Sequence, residues 1–190
     1  MYHAIEDPYT YKNSTVLVNK LDLRNQADLD AFEAEISSAR AEEPLPGGSM
    51  DFEHYKAVHH HLFQDVYHWA GQVRTVHIAK GGNPFCFPEN IDDQAGRLFD
   101  SLRLTDYLRN LDTQTFAGKA AHFLAELNAT HAFREVNGRS QLTFFVLLAD
   151  HAGHPLNIEK LEPDEMLAAM IASFDGHERL LAKVIRGLIE

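Results

Sequence analysis

The sequence predicts an all-α fold, a helical bundle that carries one small β-hairpin. Apolar residues recur every three to four positions over most of the 190 residues, which is the spacing of helices with one buried face. One segment instead alternates as a strand does and encloses turn residues. Hydrophobic residues make up 45% and charged residues 24% of the chain, a balance that allows a packed core.

Two helices are predicted in the first third of the chain. The first, around residues 27–41, has three apolar residues on one face, Leu29, Phe32 and Ile36. The second is predicted over residues 52–70, with Asp51 as its N-cap. Its apolar positions are Tyr55, Val58, Leu62, Val66 and Trp69. Residues 43–49 are rich in proline and glycine, so they predict a loop between the two helices.

The hairpin is predicted over residues 74–87. Residues 74–79 alternate in polarity, residues 81–83 have the composition of a turn, and residues 85–87 resume an extended pattern up to Pro88. An isolated hairpin is marginally stable, so we expect it to rest on the helices. Its free edge offers main-chain groups with which an extended peptide can pair.

Four helices are predicted after the hairpin. The first is marked by Phe116, Ala120, Phe123, Leu124 and Leu127. The second, over residues 139–152, is apolar nearly all round and predicts a buried central helix. The third begins at Pro163 and ends near Phe174, and the last carries Leu180, Leu181, Val184 and Leu188. We expect one domain over residues 1–190, with a helical arm at about 1–48, a core at about 50–155 and C-terminal helices at about 160–190.

Composition excludes several classes of function. The net charge of −11 is unfavourable for general binding to nucleic acids or to anionic membranes. No apolar run is long enough for a transmembrane helix, and the N-terminus lacks the features of a signal peptide. The single cysteine, Cys86, cannot form an intrachain disulfide, which favours the cytoplasm. Residues 59–61 are consecutive histidines that point in three directions on a helix, which disfavours a metallohydrolase built on them.

The residues from His131 to Arg139 have the composition of a phosphate site at the start of a buried helix. The first turn of a helix presents unpaired N–H groups and a partial positive charge. Gly138 allows the main chain to approach an anion, Arg139 adds a charged fork, and Asn137 can donate to a phosphate oxygen. The same stretch therefore suits phosphoryl-type transfer.

Two further residues of this stretch supply catalytic chemistry. His131 can accept a proton from a hydroxyl at neutral pH. Glu135 offers an oxygen ligand to Mg²⁺. Taken singly, such residues are more often a structural histidine, a turn or a surface ion pair. Their combination within nine residues, between two core helices, favours a functional site.

The sequence around His131 resembles that of a known family. Residues 131–142, H-A-F-R-E-V-N-G-R-S-Q-L, are similar to the Fic signature H-P-F-x-[D/E]-G-N-G-R-x-x-R. Residues 9–11, 18–20, 62–71, 80–88 and 127–130 also resemble stretches of that family, so the resemblance covers roughly residues 8–155. It implies the Fic-fold helical bundle, with the hairpin as a flap beside the active-site loop.

The resemblance also implies an activity. A Fic protein of this type transfers AMP from ATP to a Tyr, Thr or Ser hydroxyl of a target protein. His131 would be the general base and Glu135 the Mg²⁺ ligand. The nucleotide phosphates would be held by Asn137, Gly138, Arg139 and Arg134, and the target would dock on the flap residues Lys80, Gly81, Gly82, Asn83, Pro84 and Phe85. The implied partners are a target such as a type II topoisomerase subunit, whose modification stops growth, and a small antitoxin in a separate chain.

Three positions depart from the family signature. Ala132 replaces a proline, and Val136 replaces a glycine although a β-branched residue disfavours positive φ. Leu142 replaces the second arginine, a loss that by analogy with a preorganised donor costs about 2–4 kcal/mol in the transition state. Two alternatives therefore stay open: transfer from another donor (UMP, GMP, phosphocholine or phosphate transfer), or a non-catalytic module that binds peptides. The family's inhibitory pattern, [S/T]-x-x-x-E-[G/N], has only an imperfect match at residues 38–43.

Overall fold

The computed structural model describes residues 7–80 and 82–189, and Gly81 of the flap and the first six residues of the predicted arm lie outside it. Within these residues the α-helices are α1 Gln26–Glu42, α2 Phe52–Phe63, α3 Ile91–Leu104, α4 Thr113–Thr130, α5 Asn137–His151, α6 Pro163–Phe174 and α7 Arg179–Ile189. Two short strands, β1 Ala79–Lys80 and β2 Asn83–Pro84, pair antiparallel. The fold class is confirmed as all-α with one small hairpin.

Side-chain caps set where several helices begin. The side chain of Asn25 accepts hydrogen bonds from the first turn of α1, and Asp51 caps α2 as predicted. Asp112 accepts from Thr115 N and caps α4. Pro163 opens α6, where its missing N–H costs nothing.

The core forms around α4, which packs against α3, α5, α6 and α7. On the other side of α5, α2 packs against α1, α3 and α5. Buried apolar residues form one continuous cluster from Val16 to Ile185. Helix α5 contributes Phe144, Phe145, Leu148 and Ala149 to it, which confirms the predicted central helix. The loop that precedes α5 is therefore anchored to the hydrophobic core.

The prediction for α2 was too long. The helix ends at Phe63, and the residues up to Gly71 form turns, although Val66 and Trp69 remain buried. Gly71 has φ +79°, and a Cβ there would stand 2.8 Å from the Cβ of His60. The helical spacing of apolar residues thus predicts which residues are buried, but it continues past the residue where the helix ends.

One helix was missed and the hairpin was predicted too long. Helix α3 buries Ile91, Ala95, Phe99 and Leu102, a helical spacing to which no element was assigned above. The paired strands cover only residues 79–80 and 83–84. Beyond the strands Phe85 N donates across the hairpin to Ile78 O at 3.1 Å, but Arg74 N donates instead to Ala132 O at 2.9 Å. No helix among residues 7–80 and 82–189 combines the length and apolarity needed to cross a membrane.

Candidate active site

The loop between α4 and α5 is a tight turn closed by Asn137. The Asn137 side chain accepts from Phe133 N and donates to Phe133 O, both at 2.9 Å. The loop starts at His131, which ends α4 in the left-handed region at φ 44°, and it ends at Val136, which precedes α5 at φ 58°. Val136 therefore adopts the positive φ that a β-branched residue disfavours.

The inner side of this loop rests on His59, a residue of α2. The ring centroids of His59 and Phe133 lie 3.8 Å apart. His59 Nδ1 accepts from Gly71 N at 2.9 Å, so Nε2 carries the proton and donates to Glu135 O at 3.4 Å. Burial lowers the pKa of His59 to about 3, which keeps the ring neutral. Among the described residues no group of three or more His, Cys, Asp or Glu side chains is arranged to hold a metal ion.

His131 is a neutral base with a defined tautomer. Its Nδ1 donates to Asn128 O at 3.1 Å, which leaves Nε2 as the acceptor. Burial, together with the nearby cations Arg74 and Lys80, lowers the pKa of His131 to about 4. Phe85 stacks on the ring, with centroids 3.8 Å apart and planes 14° apart. At neutral pH the ring is therefore ready to take a proton.

His131 lies where two cavities meet. The first, about 450 Å³, reaches the first turn of α5 and is bounded on its far side by the apolar residues Leu142, Leu161, Met166 and Met170. The second, about 290 Å³, lies against Phe85 of the flap and Phe174 of α6. Lys80 and Asn128 line both cavities together with His131. One cavity offers an anion site and the other opens beside the hairpin.

The first turn of α5 forms the anion end of the larger cavity. Asn137, Gly138 and Arg139 line it, and the N–H groups of a first helical turn have no acceptor within the helix. Gly138 is exposed, and a Cβ added to it would meet no atom within 4 Å. A phosphate can therefore approach the main chain closely.

Helix α1 orients Arg139. The guanidinium is ion-paired with Glu33, donates to Ser37 Oγ at 2.7 Å and lies 5.1 Å from the centroid of the Phe63 ring. Glu33 also accepts a hydrogen bond from Tyr67 and is itself buried. Arg139 remains 44% exposed and lines the larger cavity. Its guanidinium is therefore held in place and still accessible from the cavity. Glu33 precedes residues 38–43, the segment that imperfectly matches the family's inhibitory pattern. In that segment Glu43 forms an ion pair with Arg40.

Glu135 and Arg134 line different cavities, although Arg134 Nη1 lies 3.6 Å from the Glu135 carboxylate. Glu135 lines the larger cavity with 55% of its side chain exposed. Mg²⁺ commonly binds one or two carboxylates together with substrate phosphates, and this carboxylate beside the anion site fits that use. Arg134 forms an ion pair with Asp7 at 2.7 Å and borders another depression, about 930 Å³, lined otherwise by residues 7–15. The structure thus brings Glu135 to the cavity and directs Arg134 to Asp7.

The flap is exposed and reaches the site through two residues. Lys80 lines both cavities, and Phe85 covers one face of the His131 ring. Asn83 and Pro84 form the exposed second strand, and Gly82 turns the chain at φ +85°. The main chain anchors the hairpin to the end of α4, because Cys86 N donates to Ala129 O at 3.0 Å.

The remaining departures from the signature have clear positions. Ala132 is buried in the loop. Leu142 stands one turn into α5 and joins the apolar wall of the larger cavity. Sequence reasoning missed His59, Arg74 and Glu33, which hold the loop and Arg139 from outside the motif. A lone buried histidine or arginine carries no spacing signal, because its partners are main-chain atoms far away in sequence.

The chain is similar to known proteins over most of its length. Residues 49–149 match the model of the Fic/DOC family. The chain is 48% identical, over 99% of its length and 98% of the relative, to a protein of Sinorhizobium fredii named probable protein adenylyltransferase y4lH. It is 36% identical over 97% of its length to the protein adenylyltransferase VbhT of Bartonella schoenbuchensis, of which it spans 39%.

Solved structures give the same result for the fold. The N-terminal Fic domain of a Bartonella quintana effector, solved with bound ADP, superposes with a TM-score of 0.85 at 26% identity and covers 95% of this chain and 93% of that one. BepC of Bartonella tribocorum, solved with AMPPNP, has a TM-score of 0.86 at 24% identity, with 98% of both chains covered.

Proposed function

Because the chain belongs to the Fic/DOC family, we propose that it is a protein adenylyltransferase, which transfers AMP from ATP to a hydroxyl side chain of a target protein. The observation that carries this proposal is the position of His131. Its neutral ring lies between a cavity with an anion site and a cavity beside the flap. Related proteins named as adenylyltransferases, 35–48% identical over most of this chain, support the same activity.

We propose the following reaction. His131 Nε2 accepts the hydroxyl proton as the target oxygen attacks the α-phosphorus of ATP. A bond forms between that oxygen and the α-phosphorus, the bond to the bridging oxygen of the β-phosphate breaks, and pyrophosphate leaves. The N–H groups of Asn137 and Gly138, with Arg139, stabilise the negative charge on the phosphates. Lys80 adds a cation at the boundary between the two cavities.

Glu135 would hold Mg²⁺ against the donor phosphates. The bound ion would neutralise part of the phosphate charge and help to align the leaving group. A single exposed carboxylate suits this use, since the substrate supplies the remaining oxygen ligands.

In this proposal the target docks as an extended segment along an edge of the flap hairpin. Main-chain pairing there would place its hydroxyl residue in the smaller cavity, against His131. We further propose that the protein acts in the cytoplasm, where ATP is available, as a growth-inhibiting toxin restrained by a separate antitoxin chain. A type II topoisomerase subunit is the first target to test.

A second donor is favoured by one observation. Leu142 places an apolar side chain on the wall of the donor cavity, at the position where the signature has an arginine. A donor whose distal part is less charged than a triphosphate would suit that wall. The test of function therefore includes several donors.

Purified protein is incubated with α-labelled ATP, Mg²⁺ and a bacterial lysate, in parallel with His131→Ala. Wild type is expected to label a protein band, and His131→Ala to label it about 10²- to 10⁴-fold more slowly because the general base is lost. His122→Ala is the matched control, since His122 is an exposed histidine paired with Glu178, and it should label at the wild-type rate.

Labelling by His131→Ala at the wild-type rate would contradict the assigned base. Absence of labelling from ATP, with labelling from GTP, UTP or CTP, would replace AMP by another nucleotide, and labelling only from CDP-choline labelled in its choline part would favour phosphocholine transfer. No labelling from any of these donors would contradict the proposed transfer of a nucleotide and favour the peptide-binding alternative.

A further inference from the structure

Arg74 is an arginine buried to 1% exposure whose partners are all main-chain oxygens. Its Nε donates to His131 O at 2.8 Å, and its Nη1 donates to Val76 O at 2.7 Å. Its Nη2 donates to Cys86 O at 2.5 Å and to Thr130 O at 3.4 Å. Within residues 7–80 and 82–189, each of these hydrogen bonds ends on a carbonyl and none on a carboxylate. Burying a charge is costly unless its hydrogen bonds are satisfied, so this arrangement requires a physical explanation.

The four carbonyls belong to two structures that must act together. Thr130 and His131 end α4, where main-chain oxygens lack helical partners and carry a partial negative charge. Val76 and Cys86 lie on the two sides of the hairpin, just outside its paired strands. The guanidinium is planar and has five N–H donors in a fixed fork, so it can join all four oxygens in one geometry.

We propose that Arg74 is the positioning residue of this active site, which fixes the flap and the catalytic His131 in a single mutual geometry. The proposal rests on the proposed transfer reaction only for its kinetic consequences. The main chain of His131, which lies in the left-handed region, is fixed by the hydrogen bond that Arg74 Nε donates to the His131 carbonyl oxygen. Phe85, which adjoins Cys86, is held against the His131 ring. Arg74 thus determines where the base lies relative to a target docked on the flap.

The charge of Arg74 serves the same purpose. It lies beside His131 together with Lys80, and both cations disfavour a proton on the ring. The carboxylates that line the same cavities are Glu135 and Asp175, which favour a proton. Removal of the Arg74 cation therefore shifts the balance toward protonated His131.

The main chain alone keeps the hairpin near the loop. Arg74 N donates to Ala132 O at 2.9 Å and Cys86 N donates to Ala129 O at 3.0 Å, and neither bond needs the guanidinium. A variant at this position can therefore retain the fold while it loses the fixed geometry. Arg74→Lys keeps the charge without the fork, and Arg74→Gln keeps two donors without the charge.

The kinetic test compares wild type, Arg74→Lys and Arg74→Gln. For each protein, kcat and the KM values for the nucleotide donor and for the target protein are measured separately. Both variants are expected to lose about 100-fold in kcat, as for a misplacement of about 1 Å, while KM for the donor changes by less than about threefold. The acid limb of the rate profile should move to higher pH in Arg74→Gln and stay in place in Arg74→Lys. Arg103→Gln, a change in an exposed ion pair, is the control and should be neutral.

Transfer by either variant within about threefold of wild type would overturn the proposal, because the geometry would then not depend on the fork. A fall in donor affinity parallel to the fall in kcat would also overturn it, because it would indicate general damage.

Hydrogen exchange provides a readout that does not need activity. The amides of Phe85, Cys86 and His131 should exchange at least about tenfold faster in both variants, and those of α7 at the wild-type rate. Unchanged exchange would overturn the proposal even if wild type transfers no nucleotide, and failure of transfer alone concerns only the proposed function. If neither variant folds, the Nε–H of Arg74 in wild type is compared with that of exposed Arg103. Equal exchange rates for the two groups would overturn the proposal.

Discussion

Gly138, at the second position of α5, leaves space beside the main chain where an anion would bind. A Cβ there would meet no atom within 4 Å, so Gly138→Ala should fold without strain. We expect it to be as stable as wild type or up to about 1 kcal/mol more stable, since alanine is the better helix former. We also expect it to bind a non-hydrolysable ATP analogue about tenfold more weakly, because the methyl group stands in the path of the phosphate.

Gly118→Ala is the matched control for this change. Gly118 lies within α4, and a Cβ there would also meet no atom within 4 Å. Its substitution should raise the melting temperature and leave the affinity for the analogue unchanged. Equal affinities of wild type and Gly138→Ala, measured by titration calorimetry, would show that the phosphate does not approach the main chain of α5.

The residues of the motif could be predicted because they lie within nine positions of one another, at a helix start that periodicity reveals. Their supports could not. His59 and Arg74 act through carbonyls, which every residue carries, and Glu33 meets Arg139 across 106 positions of sequence. Asn137 was assigned to phosphate, and its side chain also closes the loop onto Phe133. Its role toward a nucleotide stays a prediction.

At the scale of the element, α5 begins after a strained residue. Val136 holds φ 58° and ψ 22°, a conformation that costs roughly 1–2 kcal/mol for a residue with a side chain. Val136→Gly and Val136→Ala both remove buried methyl groups, but only glycine relieves the strain. We therefore expect Val136→Gly to be about 1 kcal/mol more stable than Val136→Ala by chemical denaturation.

The same pair of changes at Val146, inside α5, should give the opposite order. There glycine is worse than alanine by about 1 kcal/mol. If alanine were the more stable substitution at both positions, Val136 would not hold the left-handed conformation in solution.

The helices were predicted well where their own residues determine burial, and poorly where tertiary contacts decide. Helix α6 matches its predicted bounds, because Pro163 marks its start. The second helix was extended past Phe63, since turn residues such as Val66 are buried at the same spacing. The hairpin is shorter than predicted because Arg74 pairs with the motif loop, a contact that no local pattern contains.

At the scale of the whole molecule, a chain with a net charge of −11 must bind an anionic nucleotide. Distant charges are screened over about 8 Å at physiological salt, so local groups dominate at the site. The cavities are lined by Lys80 and Arg139, and the helix terminus adds its partial positive charge. Lys80, together with Arg74, also keeps protons off His131.

The two buried neutral histidines make stability depend on pH. The pKa of His59 is lowered to about 3 and that of His131 to about 4, against an ordinary histidine value of 6.5. Above pH 6.5 these rings are neutral in both the folded and the unfolded chain, so neither histidine makes the free energy of unfolding depend on pH. As pH falls below 6.5, the unfolded chain takes up protons that the folded protein refuses, and stability is lost. Each histidine should contribute a slope of up to about 1.4 kcal/mol per pH unit.

The free energy of unfolding is measured between pH 7.5 and pH 5, a window chosen at roughly one unit above the usual carboxylate pKa values. Wild type should lose stability steadily below about pH 6.5. The free energy of unfolding of His131→Gln should fall less steeply with decreasing pH, because one fewer proton is taken up on unfolding. His68→Gln is the control, since it removes an exposed histidine and should leave the slope unchanged. An identical slope in wild type and His131→Gln would mean that the ring protonates freely in the folded protein, and His131 would then be unsuited to act as a base at the lower end of this range.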